Sequence, residues 1–232
     1  MDARTRQSVI FAIFLVSGFA ALLYQVVWQR SLFAIYGINI EAVTMVVTAF
    51  MLGLGLGSLA GGRLSARPNA APLRLFAIIE AGIGAFGLVS LPLFHFVGNA
   101  TVMWPPALVM IATFALLLAP TVLMGSTLPL LVTYLLKSNK NVGRSVGTLY
   151  FVNTLGSAGA AFACVLVLLP QLGQMKTTCV AAGFNFVVSA LAWKLHRSAE
   201  VADRATNKSL EIAEDNAMDD ADVPANIEAG AT

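Results

Sequence analysis

The sequence predicts an all-α membrane protein, a bundle of six transmembrane helices. Of its 232 residues, 58% are hydrophobic and 11% are charged, whereas about a quarter of residues are charged in soluble globular proteins. Between Arg6 and Lys194 the only carboxylates are Glu41 and Glu80. Lipid cannot hydrogen-bond to the backbone, so a chain of this composition is expected to span the bilayer as helices that pair their backbone groups internally.

Six apolar stretches separate short clusters of basic residues. Most have about the 20 residues that a helix needs to cross about 30 Å of hydrocarbon; the fourth is longer and the last is shorter. The predicted spans are residues 8–28, 40–61, 75–97, 107–136, 146–169 and 178–193. They make residues 1–197 one transmembrane domain. Trp28 ends the first span, where aromatic rings usually lie at the level of the lipid headgroups.

Lys and Arg residues alternate between the two sides of the predicted bundle. If the amino terminus is cytoplasmic, the inner segments hold ten of these residues and the outer loops hold only Arg30 and Lys176. Basic residues accumulate on the cytoplasmic side of membrane proteins. The sequence therefore predicts a multi-pass protein of the bacterial inner membrane with both termini in the cytoplasm.

Small residues recur at every fourth position in two of the spans. Gly53, Gly57 and Gly61 share one face of span two, and Gly156 and Ala160 share a face of span five. Such faces let helix backbones approach closely. We therefore expect spans two and five to make the closest contacts. One architecture that fits is a pair of inverted three-helix units in which these two spans are counterparts.

Span four contains Pro120, Gly125 and Pro129. Proline removes a backbone donor and clashes with the preceding turn, so this segment is predicted to be a kinked or interrupted helix. Two interpretations remain open. The break could form part of a binding site at mid-membrane, or the kink could simply fit a long segment into the bilayer.

Glu80 lies within span three, where an ionised carboxylate is costly and should face the bundle interior beside a cation or hydrogen-bond donors. Arg63 and Arg144 are the nearest basic residues by depth, and Tyr150 and Asn153 of span five could add hydrogen bonds. Either these residues form a structural ion pair, or they form a site for a proton or solute.

Other polar residues have simpler interpretations. Arg30 and Glu41, at the outer ends of spans one and two, are predicted to form a salt bridge at the rim. Asn185 of span six is expected to form an interhelical hydrogen bond. Cys164 and Cys179 have no neighbours at metal-ligand spacing, so we expect packing roles and no metal site.

The last part of the chain has a different composition. Residues 200–232 contain nine acidic and two basic residues. Such a segment cannot build a core, so residues 198–232 are predicted to be a disordered acidic cytoplasmic tail. The tail would be either a solvated end or a tether for a basic partner.

Four motifs together resemble a known family. In order, the runs 17–30, 49–58, 120–129 and 149–157 are similar to the membrane domain of bacterial spermidine-synthase-like fused membrane proteins, and the resemblance covers nearly all of residues 9–195. These proteins join a transporter-like half to a polyamine aminopropyltransferase domain. In that family a soluble nucleotide-fold domain follows the last span and would hold decarboxylated S-adenosylmethionine and the polyamine. Here the acidic tail follows, so the resemblance implies that the synthase domain is lacking.

We therefore expect no enzyme and no cofactor, but a transporter-like or scaffolding module. Its expected partners are lipid and either other membrane subunits or a separate cytoplasmic synthase, with no nucleic acid. In the transport version, Glu80, Asn153 and Tyr150 would bind a cationic or protonated solute. The alternative is an accessory subunit of a larger membrane complex, with no transport activity.

Overall fold

The computed structural model describes residues 3–36, 40–68, 70–136 and 141–221. Nearly all of these residues are helical. The helices are α1 (Ala3–Tyr36), α2 (Ile40–Ser65), α3 (Pro72–Ala100), α4 (Pro106–Leu136), α5 (Val142–Ala163) and α6 (Leu169–Ala221), with a π-helical turn at Cys164–Leu168 between the last two. The all-α prediction is confirmed for these residues. Two compact units are present, Met1–Trp193 and Lys194–Thr232.

Local signals explain where two of the helices begin. Pro72 is the first residue of α3, a position at which the missing backbone N–H costs nothing. Asn141 precedes α5, and its Oδ1 accepts a hydrogen bond of 3.0 Å from the backbone N–H of Arg144. This contact caps one of the unpaired donors in the first turn.

Five helices in the described part of the chain are long and apolar enough to cross a membrane. They are Arg4–Ile35, Val43–Ser65, Pro72–Ala100, Ala107–Leu136 and Val142–Ala202. The prediction of six is therefore wrong. Its fifth and sixth spans are not separated by a loop but belong to one helical stretch of 61 residues.

That long stretch turns back on itself at Gly173. The backbone there has φ 72° and ψ 177°, a conformation that glycine adopts without steric penalty. Before the turn, Ser157 donates to the carbonyl of Gly18; after it, Asn185 lies beside Ser17, since both side chains bond the same carboxylate. A straight helix would hold Ser157 and Asn185 about 42 Å apart. The two halves can both reach residues 17 and 18 only because the chain reverses.

The small residues of α2 do pack closely, but against α4. A β-carbon added to any of the three glycines would collide with that helix. The contacts pair Gly53 with Thr121, Gly57 with Val122, and Gly61 with Ser126. The contact between α2 and α4 is the most extensive in the bundle.

The small residues of α5 pack against α1. A β-carbon on Gly156 would collide with the backbone oxygen of Leu15, and Ala160 is fully buried. The prediction that spans two and five make the closest helix contacts is confirmed, since the two most extensive contacts are those of α2 with α4 and of α5 with α1. A face of small residues indicates close packing but does not identify the partner helix.

Helix α4 continues through Pro120, Gly125 and Pro129 without interruption. The interrupted helix that these residues suggested is not present. Side-chain hydroxyls bond backbone carbonyls along this segment: Thr121 donates to Leu117 at 2.9 Å, and further such bonds come from Ser126, Thr127 and Thr133. These hydroxyls donate to backbone carbonyls close to the positions where proline removes a backbone donor.

Two further expectations need correction. Trp28 is fully buried rather than interfacial, because α1 continues beyond it to Tyr36. Residues 198–221 are helical rather than disordered. They are rich in helix-forming Ala and also contain Glu, and Arg204 pairs with Glu200 at 2.6 Å one turn away. They therefore form a helix although they cannot build a core. The rest of the predicted tail lies outside the described residues.

Candidate functional site

The most unusual group in the bundle is the Glu80 carboxylate of α3, which is completely buried. Ser17 of α1 donates to its Oε1 at 2.5 Å, and Asn185 of α6 donates to its Oε2 at 2.6 Å. The expected interhelical hydrogen bond of Asn185 is thus confirmed. Three helices that are distant in sequence meet at this carboxylate.

The partners of Glu80 are neutral. Arg63 and Arg144, its suggested partners, are exposed, and no Lys or Arg among the described residues forms an ion pair with it. Two hydrogen bonds occupy about half of the roughly four acceptor positions of an ionised carboxylate. A buried carboxylate in a membrane helix bundle usually has a cation, a proton or a solute pathway beside it.

A cavity of about 290 Å³ lies next to this carboxylate. This volume corresponds to about ten water molecules, at about 30 Å³ each. The cavity wall combines apolar side chains with a few polar ones. The lining residues considered below include Ser17, Gln25, Phe50, Leu54, Asn153 and Asn185. Glu80 is not in the wall. Its carboxyl group lies behind Ser17 and Asn185, which both line the cavity and donate to Glu80.

Asn185 presents an unused acceptor at this place. Its side chain is 1% exposed, and its Oδ1 has no hydrogen-bond partner in the structure. Its Nδ2 must face Glu80, because a carboxylate accepts hydrogen bonds. The amide oxygen therefore points away from the carboxylate. An unpaired buried acceptor costs about 1–3 kcal/mol, so a donor in the cavity would gain that much.

The structure brings together only some of the predicted site residues. Tyr150 and Asn153 line the cavity; Tyr150 is 65% exposed, and Asn153 donates from Nδ2 to the carbonyl of Phe14 at 3.4 Å. Gly125 of α4 is also in the wall. Arg30 is exposed, whereas the side chain of Glu41 lies outside the described part of the structure, so the rim pair stays a prediction.

Sequence analysis missed Ser17 as a partner of Glu80. A serine in an apolar helix is common, and only the rotation of α1 determines whether it faces the core. A weak signal was present: Ser17 precedes Gly18, whose missing side chain allows α5 to approach at Asn153. A polar residue beside a close helix contact is a candidate for an interhelical bond.

Metal-ligand chemistry is not evident in the described residues. No group of three or more His, Cys, Asp or Glu side chains that could hold a metal ion occurs among them. Cys164 is buried, Cys179 is exposed, and both are free thiols.

The fold and the site define a class of protein: a helical protein whose described part has five helices long and apolar enough to span a membrane, with a buried carboxyl group beside a cavity. No family model matches the chain, and no solved structure matches it. Polyamine aminopropyltransferase 1 of Streptomyces coelicolor is 24% identical over 183 residues, covering 78% of this chain and 33% of the relative. Polyamine aminopropyltransferase 2 of the same organism is 27% identical over 161 residues, covering 66% of this chain and 28% of the relative.

These relatives correct one expectation. Both are named for an enzymatic activity, which contradicts the expectation that this chain is not an enzyme. The similarity is distant, and the chain spans about a third of the length of the curated relatives it matches. The likeness to polyamine aminopropyltransferases agrees with the polyamine part of the resemblance drawn from the motifs.

Proposed function

We propose that this chain is the membrane-embedded part of a polyamine aminopropyltransferase system and that it takes a cationic amine into the cavity beside Glu80. The observation that carries the proposal is the buried Glu80 carboxylate, held by two neutral donors next to a cavity. A negative charge at this depth favours a positively charged occupant, since attraction is strong where water is excluded. Polyamines are cationic amines, and the relatives are named for acting on them.

The arrangement of helices supports movement of such a solute. The cavity lies between two closely packed helix pairs, α1 with α5 and α2 with α4, and these pairs contact each other much less. In many transporters, rigid helix groups rock around a central site and expose it to each side in turn. Transport of the amine across the bacterial inner membrane, with both termini in the cytoplasm, is part of the proposal.

Amine binding to purified protein tests the proposal directly. The protein is placed in phosphatidylcholine nanodiscs, and binding of radiolabelled spermidine is measured. Glu80→Gln keeps the size of the side chain and removes its charge, so we expect binding to fall about tenfold or more. Glu200→Gln, the same change at an exposed carboxylate outside the cavity, is the matched control and should bind as the parent does.

Flux separates transport from binding alone. Proteoliposomes made with the parent protein should accumulate labelled spermidine, and those made with Glu80→Gln should not. Equal binding by the parent and Glu80→Gln would contradict the amine site. Binding without flux in any protein would instead favour the accessory-subunit alternative, in which the module holds the amine or a partner without moving it.

A further inference from the structure

We infer that Asn185 is the residue that contacts the cavity ligand, and that its Oδ1 accepts a hydrogen bond from a primary ammonium group. This inference rests on the proposed function and assigns the chemical class that the cavity selects. Glu80 lies behind the cavity wall, whereas Asn185 lies in the wall and its buried Oδ1 has no hydrogen-bond partner.

The direction of the Asn185 amide follows from Glu80. A carboxylate accepts, so Nδ2 is committed to Oε2 at 2.6 Å and Oδ1 is left for the other side. Rotating the amide would place Oδ1 against the carboxylate and break a charge-assisted hydrogen bond. The acceptor is therefore fixed in orientation. It is buried to 1% exposure, so a cation that reaches it must give up water and gain a hydrogen bond in return.

The apolar side chains that line the cavity indicate that the rest of the ligand is apolar. Phe50, Leu54 and Ile83 line the same cavity and offer only apolar contact. A single carboxylate lies at the polar end, which matches one ammonium group of the ligand. An aliphatic amine that ends in a primary ammonium group, as polyamines do, fits this division, because its hydrocarbon can lie against the apolar wall while its terminal N–H groups reach Asn185.

This assignment separates two kinds of cation. A primary ammonium group has N–H donors for Oδ1, whereas a quaternary ammonium group has the same charge and no donor. A site that relied on charge alone would accept both. A site that contains the Asn185 acceptor should prefer the primary amine about tenfold or more, which is the usual strength of a hydrogen bond to a charged group.

Binding of n-butylammonium and n-butyltrimethylammonium to the parent protein in phosphatidylcholine nanodiscs tests this preference. Because the trimethylated head is larger, 2,2-dimethylpropylammonium serves as a size control; it carries similar bulk and keeps its N–H donors. We expect both primary amines to bind and the quaternary amine to bind about tenfold more weakly. Equal binding of the quaternary amine would overturn the inference and leave the proposed cation site standing. Absence of binding by every soluble amine would overturn the proposed function, and if no ethanolamine lipid is retained either, it would overturn the inference as well.

A variant tests whether Asn185 causes the preference for primary over quaternary amines. Asn185→Leu removes the acceptor and should abolish the difference between primary and quaternary amines. The matched control is Ser189→Ala, one turn further along α6, where Ser189 donates to the backbone oxygen of Ala77 on α3 at 2.7 Å and does not line the cavity. The control should keep the preference. A preference that persists in Asn185→Leu would exclude Asn185 as the contact.

Primary ammonium groups also occur on ethanolamine lipids. Native mass spectrometry of the protein with phosphatidylethanolamine distinguishes this source from a soluble amine. Displacement of the lipid by n-butylammonium would support one shared site. A third outcome is that the parent protein retains the lipid, Asn185→Leu loses it, and neither binds any soluble amine. This outcome would support the Asn185 contact and overturn the proposed function.

Discussion

Glu80 and Asn185 are 105 residues apart in sequence, and a hydrogen bond of 2.6 Å joins their side chains within the apolar bundle. The bond connects α3 to the part of α6 that follows the reversal at Gly173. It also engages Nδ2 of Asn185 and leaves its Oδ1 without a hydrogen-bond partner. One contact thus contributes both to the fold and to the candidate site.

Gly57 of α2 should tolerate no side chain. Its β-carbon would collide with the backbone oxygen of Val122 and with Gly125 on α4. Backbone atoms cannot move aside as a flexible side chain can, so we expect Gly57→Ala to lower the free energy of unfolding by about 1–3 kcal/mol. Thermal unfolding in detergent, followed by circular dichroism, measures the change.

Gly55 provides the control for that substitution. It lies two residues away on the same helix, and a β-carbon there would meet nothing within 4 Å. Gly55→Ala should be neutral or stabilising by about 0.5–1 kcal/mol, because alanine favours the helix. Equal destabilisation by both substitutions would show that the α2–α4 contact is not as close as the structure has it.

Gly173 should be needed for its backbone conformation and not for space. No atom lies within 4 Å of a β-carbon built on Gly173 or on Gly183, but only Gly173 has a positive φ, 72°. We expect Gly173→Ala to destabilise the protein by about 1–2 kcal/mol, whereas Gly183→Ala should not. Detergent unfolding of the two variants side by side is the measurement. A neutral Gly173→Ala would mean that the turn does not depend on this residue.

The Trp28 indole should be energetically coupled to Ser90. Its Nε1 donates to Ser90 Oγ at 2.9 Å, and both side chains are fully buried. Because interhelical hydrogen bonds in membrane proteins contribute about 0.6 kcal/mol on average, we expect a coupling of about 0.5–1.5 kcal/mol. A double-mutant cycle with Trp28→Phe, Ser90→Ala and the combined variant measures it. Strict additivity would contradict a direct contact.

The reversal at Gly173 predicts where reporters will lie. If the stretch Val142–Ala202 crosses the membrane twice, a green fluorescent protein fused to the carboxyl end should fluoresce in the cytoplasm. Alkaline phosphatase fused after Lys176, next to the turn, should be active outside. The basic residues favour this orientation, since the inner segments carry ten of them. A dark carboxyl-terminal fusion with active phosphatase at the same end would mean an odd number of crossings.

Sequence reasoning was strongest where a single helix carries the signal. The lengths of the apolar stretches located α2, α3 and α4, and the burial of Glu80 follows from the cost of a carboxylate in an apolar helix. The role of Asn185 as an interhelical donor followed from the same argument. Each of these properties depends on one segment and on the solvent around it.

Properties that depend on two helices were harder to obtain. Gly57 and Gly156 both belong to close contacts, but their spacing does not say that their partners are α4 and α1. Ser17 reaches Glu80 only because α1 is rotated about its axis so that this side chain faces α3. The gap between predicted spans five and six, residues 170–177, implied a loop, whereas a single glycine turn at Gly173 between helical segments is sufficient.

The position of Glu80 behind the cavity wall has an evolutionary consequence. If the cavity binds the proposed amine, substitutions at Phe50, Leu54 or Ile83 would change the ligands that fit it, while Glu80 and its two donors stay unchanged. Related chains could in this way diverge in ligand preference without rebuilding the costly electrostatic arrangement at the meeting point of α1, α3 and α6.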